Sequence, residues 1–257
     1  MLDVRVFPCL LLQGPGLVKT VKFKKPQYIG DPMNAARIFS AREADEALLL
    51  DISAGAEGRG PDEDLVSRIS DECFMPLTVG GGIRTVGMAR ALFNAGAEKI
   101  AINSAAITNP ELIGAIAAEF GSQSVVVSID AKRKWGGYEV YTHGGRKRTK
   151  RSVVAHAQAM AKAGAGEILI NAIDRDGMMQ GYDVELTRQV ADAVDLPVIA
   201  CGGAGSLDHM RQVVEQGHAS AVTAGSFFVF HGRRRAVLIS FPDRADLEAQ
   251  VLDATPA

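Results

Sequence analysis

Asp130 closes the run Ser-Val-Val-Val-Ser-Ile-Asp (124–130), so a carboxylate stands where an apolar strand gives way to a loop. In that place it can serve as a general acid or base. It can equally cap the turn. Two glycine-rich blocks could hold an anionic ligand beside it. The first spans Thr78–Ala105 and the second Ile199–Ser226. A shift of 121 positions (202 minus 81) lays Gly81 on Gly202, Gly82 on Gly203, Arg90 on Arg211 and Gly96 on Gly217. Glycine after a strand lets the backbone approach a ligand, and the next helix start offers free N–H groups to an anion. One such block is read as readily as a tight turn. Two in register favour a pair of phosphate pockets.

The opposite strand ends carry another pattern. Arg5 opens the first apolar run, and Glu46, Lys99 and Glu167 each precede a later one. Two cations and two anions could close a neutral ring, tolerable where charge is partly buried. Ordinary solvated strand ends are the simpler account. Two segments read as mobile loops: Gln13–Gly30, with Lys19, Lys22, Lys24 and Lys25, and Lys132–Arg151, with Trp135 and Arg146, Lys147, Arg148, Lys150 and Arg151. Alternation over Tyr138–Thr142 between glycine pairs suggests a hairpin inside the second. Its basic run suits a phosphorylated or nucleotide-linked substrate, or merely solvent.

The elements that would position these groups alternate along the chain. Strands are expected at Val4–Leu11, Ala47–Ile52, Met75–Val79, Lys99–Asn103, Ser124–Asp130, Glu167–Asn171, Pro197–Ala200 and Ala219–Ala224. Helices are expected at Asp31–Arg42, Asp62–Glu72, Val86–Ala95, Pro110–Glu119, Ser152–Ala163, Val184–Ala193, Leu207–Gln216 and Arg234–Ser240. Asn109 and Ser206 are the expected caps of two of them. Repeating β-α units predict an α/β fold, a single (β/α)8 TIM barrel of two half-barrels, about 1–122 and 123–257. A doubly wound sheet would not require matching halves. In a barrel the ligand face lies at the C-terminal strand ends, which brings Leu11, Asp51, Gly82, Asn103, Asp130, Asn171, Asp176, Gly202, Gly203, Ala224 and Gly225 together. Asp130 is matched by Leu11 at the corresponding strand end of the first half, and Asp51 by Asn171. Leucine exchanges no proton, so one carboxylate remains.

Composition narrows the classes. The chain has 257 residues, is 47% hydrophobic and carries net charge -2, which offers a sizeable core and no general pull toward nucleic acid or a membrane surface. Cys9, Cys73 and Cys201 form no metal-binding spacing and fit a reducing compartment. The opening Met-Leu-Asp-Val-Arg-Val does not read as a secretory leader, and no apolar run is long enough to span a bilayer. A cytoplasmic protein without metal or organic cofactor is expected.

The stretches R-V-F-P-C-L (5–10), G-D-P (30–32), L-D-I-S-A (50–54), T-V-G-G-G-I (78–83), I-N-S-A-A (102–106), S-I-D-A-K-R (128–133), I-D-R-D-G (173–177) and G-G-A-G (202–205) carry a resemblance. Along its whole length the chain resembles the HisF family, the cyclase subunits of imidazole glycerol phosphate synthase. The resemblance implies a barrel docked by its bottom face on a HisH-like glutaminase, with ammonia passing to a phosphorylated substrate at the top. It implies Asp130 as catalytic base and Lys19 as the lysine that closes over substrate. Gly82, Asn103 and Ser104 match one phosphate pocket; Asp176, Gly177, Gly203, Ala224 and Gly225 match the other, with Asp51, Asn171 and Gly202 completing the ligand face. Arg5, Glu46, Lys99 and Glu167 match the ammonia gate, which favours the ring over solvated ends. Three positions depart from the pattern: Leu11 for a catalytic aspartate, Asn171 for threonine and Cys201 for serine. With P-C-L-L-L, V-K-T-V-K-F and A-V-L-I-S-F-P, the chain looks like the branch associated with acetamidino modification of surface-polysaccharide sugars. That branch implies a separate sugar amidotransferase as a further partner.

Overall fold

The computed structural model describes residues 4–232 and 234–252. Eight parallel strands close on themselves: Arg5–Gln13, Ala47–Asp51, Leu77–Gly80, Lys99–Ile102, Val125–Lys134, Glu167–Ala172, Val198–Cys201 and Ala221–Ala224. Each pairs with the next, and the last returns to the first through Arg5↔Ala221 and Pro8↔Ala224. The expected (β/α)8 barrel is the observed fold, and the strand positions hold to within a few residues. Strand residues alternate between barrel interior and helix layer, as period two requires. Phe7, Leu48, Val126, Leu169 and Ile199 fill the interior. Their neighbours Val6, Leu49, Val127, Ile168 and Val198 belong to the larger core under the helices.

The outer helices begin where their side chains can cap them. Asp62 accepts from Leu65 N at 3.1 Å and starts Glu63–Glu72, which buries Leu65, Val66 and Ile69. Ser206 caps Leu207–Glu215 through His209 N at 3.2 Å, as expected. Asn109 does not cap with its side chain: Pro110 occupies the cap position of Glu111–Phe120, and only the Asn109 carbonyl is used, by Leu112 N at 3.2 Å.

Two expectations are overturned. No helix forms over Arg234–Ser240. Ala236–Val237 pairs antiparallel with Phe230–His231, and Leu238 N and Ser240 N bond to Val229 O and Phe228 O at 2.8 and 2.9 Å. That return chain delivers Phe241 against Phe39 and Phe228, with ring centroids 6.1 and 4.8 Å away. The last helix instead starts at Arg244. The two supposed loops are also ordered as strands. Gly16–Val21 and Lys24–Gly30 form an antiparallel ribbon on the first barrel strand. Gly137–Thr142, the expected hairpin strand, pairs with the fifth barrel strand on one side and Lys147–Ser152 on the other. Tight turns inside both segments supply the positive φ that lets each chain reverse, at Lys22 and Phe23 and at His143 to Gly145.

Candidate active site at the top of the barrel

The C-terminal strand ends surround one cavity of about 700 Å³. Every top-face residue singled out from the sequence lines it. Gly82, Asn103 and Ser104 stand on one side, and Asp176, Gly177, Gly202, Gly203, Ala224 and Gly225 on the other, with Lys19, Asp51, Asp130 and Asn171 also in the wall. The glycines are required by geometry. Gly82 and Gly203 sit at φ +68° and +116°, and a Cβ on either would fall 2.2 Å from a backbone oxygen, of Arg59 and Gly181 respectively.

Asp130 is buried on the fifth strand. Burial and the nearby Asp176 carboxylate raise its carboxyl from the ordinary 3.8 to about 7, against the opposing pull of the Asn103 amide. A carboxyl near 7 can both take and return a proton at neutral pH. Asp176 is raised too, by burial first, while Phe23 N–H, the Thr20 hydroxyl and Lys19 pull it back. Thr20 Oγ1 and Phe23 N donate to Asp176 Oδ2 at 2.7 and 3.0 Å, and Lys22 N donates to its carbonyl at 3.0 Å. Asp176 therefore pins the first ribbon over the site. Lys19, carried by that ribbon, is buried and donates through Nζ to the Cys9 carbonyl. Burial pushes its ammonium below the usual lysine range.

Asn103 donates to Ser128 O at 2.9 Å, and Ser104 Oγ receives His143 N at 3.1 Å, which ties the second ribbon to the rim. Asp51 is wholly occupied: Ser53 N, Ala54 N and Ser53 Oγ reach Oδ1 at 3.0 Å each, and Arg59 Nη1 reaches Oδ2 at 2.5 Å. It positions the Ser53–Gly58 turn more than it faces a ligand. Sequence reasoning missed Arg59. A buried aspartate at a strand end needs a partner, and Gly-Arg-Gly-Pro just downstream was the available signal. It also missed Arg84 and His143 at the cavity rim.

Strand register corrects one pairing. The counterpart of Asn171 is Leu50, not Asp51. Across the fifth and sixth strands Asp130 faces Asn171, and across the first and second Leu11 faces Leu50.

The bottom of the barrel holds the charged quartet as a closed ring. Arg5 reaches Glu46 at 2.7 Å and Glu167 at 3.0 Å, and Lys99 reaches the same two at 3.0 and 3.1 Å. Thr78 Oγ1 also donates to Glu46, at 2.5 Å. Between ring and cavity lies the apolar interior, whose upper layer is Cys9, Ala101 and Cys201.

A family model described as "Histidine biosynthesis protein" matches residues 5–234. A Pseudomonas aeruginosa protein provisionally named imidazole glycerol phosphate synthase subunit hisF2 is 52% identical over 244 residues, covering 95% of this chain and 97% of that protein. Proteins of Leptospira interrogans and Leptospira borgpetersenii, provisionally named imidazole glycerol phosphate synthase subunit HisF, are 47% and 45% identical over 251 residues, each match covering 97% of this chain and 99% of the relative.

Proposed function

The chain belongs to the histidine biosynthesis protein family, as a HisF-like member, and from that premise we propose that it is the ammonia-using subunit of a glutamine amidotransferase complex. A HisH-like glutaminase docks on the bottom face, and its ammonia passes the ring of Arg5, Glu46, Lys99 and Glu167. Neutral ammonia crosses the apolar interior, where ammonium would pay a heavy desolvation cost. At the top, the glycine turns hold a phosphorylated or nucleotide-linked sugar derivative, Lys19 lies over it, and Asp130 takes a proton from the nitrogen as ammonia adds to the acetamido carbon and returns it to the carbonyl oxygen, whose bond to that carbon breaks as it leaves as water. The pathway we assign is the one that converts an acetamido sugar to its acetamidino form for lipopolysaccharide O-antigen, together with a separate sugar amidotransferase.

The observation that carries this reading is Leu11 beside Leu50 where a cyclase of this family would present a second acid/base group. Removing one such group costs about 10^2- to 10^4-fold in rate; among the described residues the other carboxylates in the cavity wall are Asp51, whose two oxygens are both bonded, and Asp176, one of whose oxygens holds the ribbon. Complementation tests it. The chain, co-expressed with its glutaminase, should fail to restore growth of a cyclase-deficient histidine auxotroph. Growth would restore the cyclase reading, in which a phosphoribosyl formimino nucleotide yields imidazole glycerol phosphate and an aminoimidazole carboxamide nucleotide. The two glycine-lined sides of the cavity are what favour that second reading. A passive conduit that only activates the glutaminase predicts that Asp130→Asn leaves product yield unchanged in the reconstituted complex; the enzyme predicts that yield collapses.

A further inference from the structure

Charge is unevenly placed along this chain. Residues 16–30 and 132–151 hold 12 of its 28 Lys and Arg but only one of its 30 Asp and Glu, Glu139. The rest keeps 16 cations against 29 carboxylates, so the net charge of -2 divides into +11 and -13. The two basic segments are the ribbons laid over the top of the barrel, and their turns meet there. A Cβ on Gly145 would stand 3.0 Å from the Phe23 ring, and Phe23, Lys24, Gly144 and Arg146 all line the cavity. Lys132, Arg133 and Arg148 are answered by Asp174, Glu185 and Glu139. Lys22, Lys24 and Lys25 on the first ribbon, and Lys147, Lys150 and Arg151 on the second, are exposed and form no ion pair among the described residues.

Apolar surface gathers on the same segments. Eight large apolar side chains are exposed among the described residues. Five of them are Val21 and Tyr28 on the first ribbon, Trp135 at the turn of the second, and Val237 and Leu238 on the return segment beside the first. That segment lies close, with Ile239 Cδ1 4.0 Å from where a Gly30 Cβ would stand. Lysines on edge strands guard against unwanted strand pairing, and Lys24–Gly30 and Lys147–Ser152 each have a neighbour on one side only. That purpose explains neither a fully exposed tryptophan nor the aliphatic side chains. Tryptophan and arginine together are the usual anchors of protein interfaces.

We propose that the two ribbons and the return segment form a docking face for a second protein, one that presents carboxylates around an apolar pocket for Trp135. Charge complementarity requires the acidic surface. A nucleic acid would use the cations but offers little to Val21, Val237 and Leu238, since bases stack on aromatic rings. A bilayer is met by the continuous apolar stripe of one amphipathic element, whereas these side chains come from three segments interspersed with charge. The proposal rests on the nitrogen-delivery reading only for the identity of that protein, the separate sugar amidotransferase. Seated over the mouth, it would shield the cavity from bulk water and exchange the sugar with it directly.

The test uses the full chain with its glutaminase bound below and the sugar amidotransferase of the same organism as the probe. Titration should show binding that weakens at least about tenfold between roughly 50 and 200 mM salt. Trp135→Ser, and separately Lys147→Glu with Lys150→Glu, should each weaken it at least about tenfold at the lower salt. Arg68→Glu with Lys162→Glu makes the same charge change on outer helices and should leave the affinity within about twofold. Circular dichroism confirms the fold of each variant. No binding, binding untouched by the ribbon variants, or equal weakening by the outer-helix pair would overturn the proposal. So would tighter binding of a single-stranded oligonucleotide or of phosphatidylserine vesicles than of the amidotransferase. Transfer of glutamine nitrogen to the sugar by the three proteins is measured separately: transfer without docking leaves the delivery reading standing, and docking without transfer leaves the docking face standing.

Discussion

In the proposed function Asp130 carries the chemistry, and its environment sets a pH dependence. With its carboxyl at about 7, the base form grows in as pH rises, so turnover should climb through neutrality with an apparent midpoint near that value. Asp176→Asn removes a negative neighbour that helps raise Asp130, so the midpoint should move to lower pH; a pH–rate profile reads both. The same shift has a stability consequence of opposite sense. Folded Asp130 keeps its proton to about 7, whereas the unfolded chain releases it near 3.8, so stability is lost as pH rises between those values. At about 1.4 kcal/mol for each tenfold change, the ceiling is roughly 4 kcal/mol. Asp130→Asn should therefore raise the melting temperature at pH 8, with the gain shrinking toward pH 4. Asp130 was legible in the sequence because a carboxylate ending an apolar strand is conspicuous. Arg59 and the Asn171 amide oxygen, which is buried with no partner among the described residues, were not, because partnership and its absence are properties of contacts between distant segments.

At the scale of elements, the first ribbon is held by few groups. Thr20 and Phe23 both depend on one Asp176 oxygen. Thr20→Val removes a partly buried hydrogen bond worth about 0.5–1.5 kcal/mol, so amide exchange across Gly16–Gly30 should quicken while the barrel strands keep their protection. The bottom ring behaves differently, because each member meets two of opposite sign. Lys99→Met leaves the buried Glu46 and Glu167 sharing the one cation Arg5, with Thr78 still donating to Glu46. Full burial would make such a loss cost about 3–5 kcal/mol; the partial exposure of Lys99 brings it to roughly 1–3, seen as a lower urea midpoint. Barrel strands and most helices were readable from period and caps. The hairpin strand of the second ribbon was readable from alternation over Tyr138–Thr142, but the first ribbon was not, since Lys22 and Phe23 adopt positive φ without glycine, and the Arg234–Ser240 stretch was misread because its helical composition is overruled by pairing with Phe230 and the docking of Phe241.

Across the whole molecule, a closed ring of two cations and two anions lies below, a glycine-lined cavity above, and an apolar interior between. Among the described residues no helix is long and apolar enough to cross a membrane. The family was readable from motifs spread over the chain, while the substrate proposed rests on one layer of side chains, Leu11 and Leu50 against Asp130 and Asn171. The most direct test of that choice bypasses the glutaminase. Purified chain, supplied with ammonium salt and the phosphoribosyl formimino nucleotide at pH 8, should release imidazole glycerol phosphate at least about 10^2-fold more slowly than a cyclase that keeps both acid/base groups. Turnover within about tenfold of such a cyclase, abolished by Asp130→Asn, would contradict the account and make this chain a histidine-pathway cyclase.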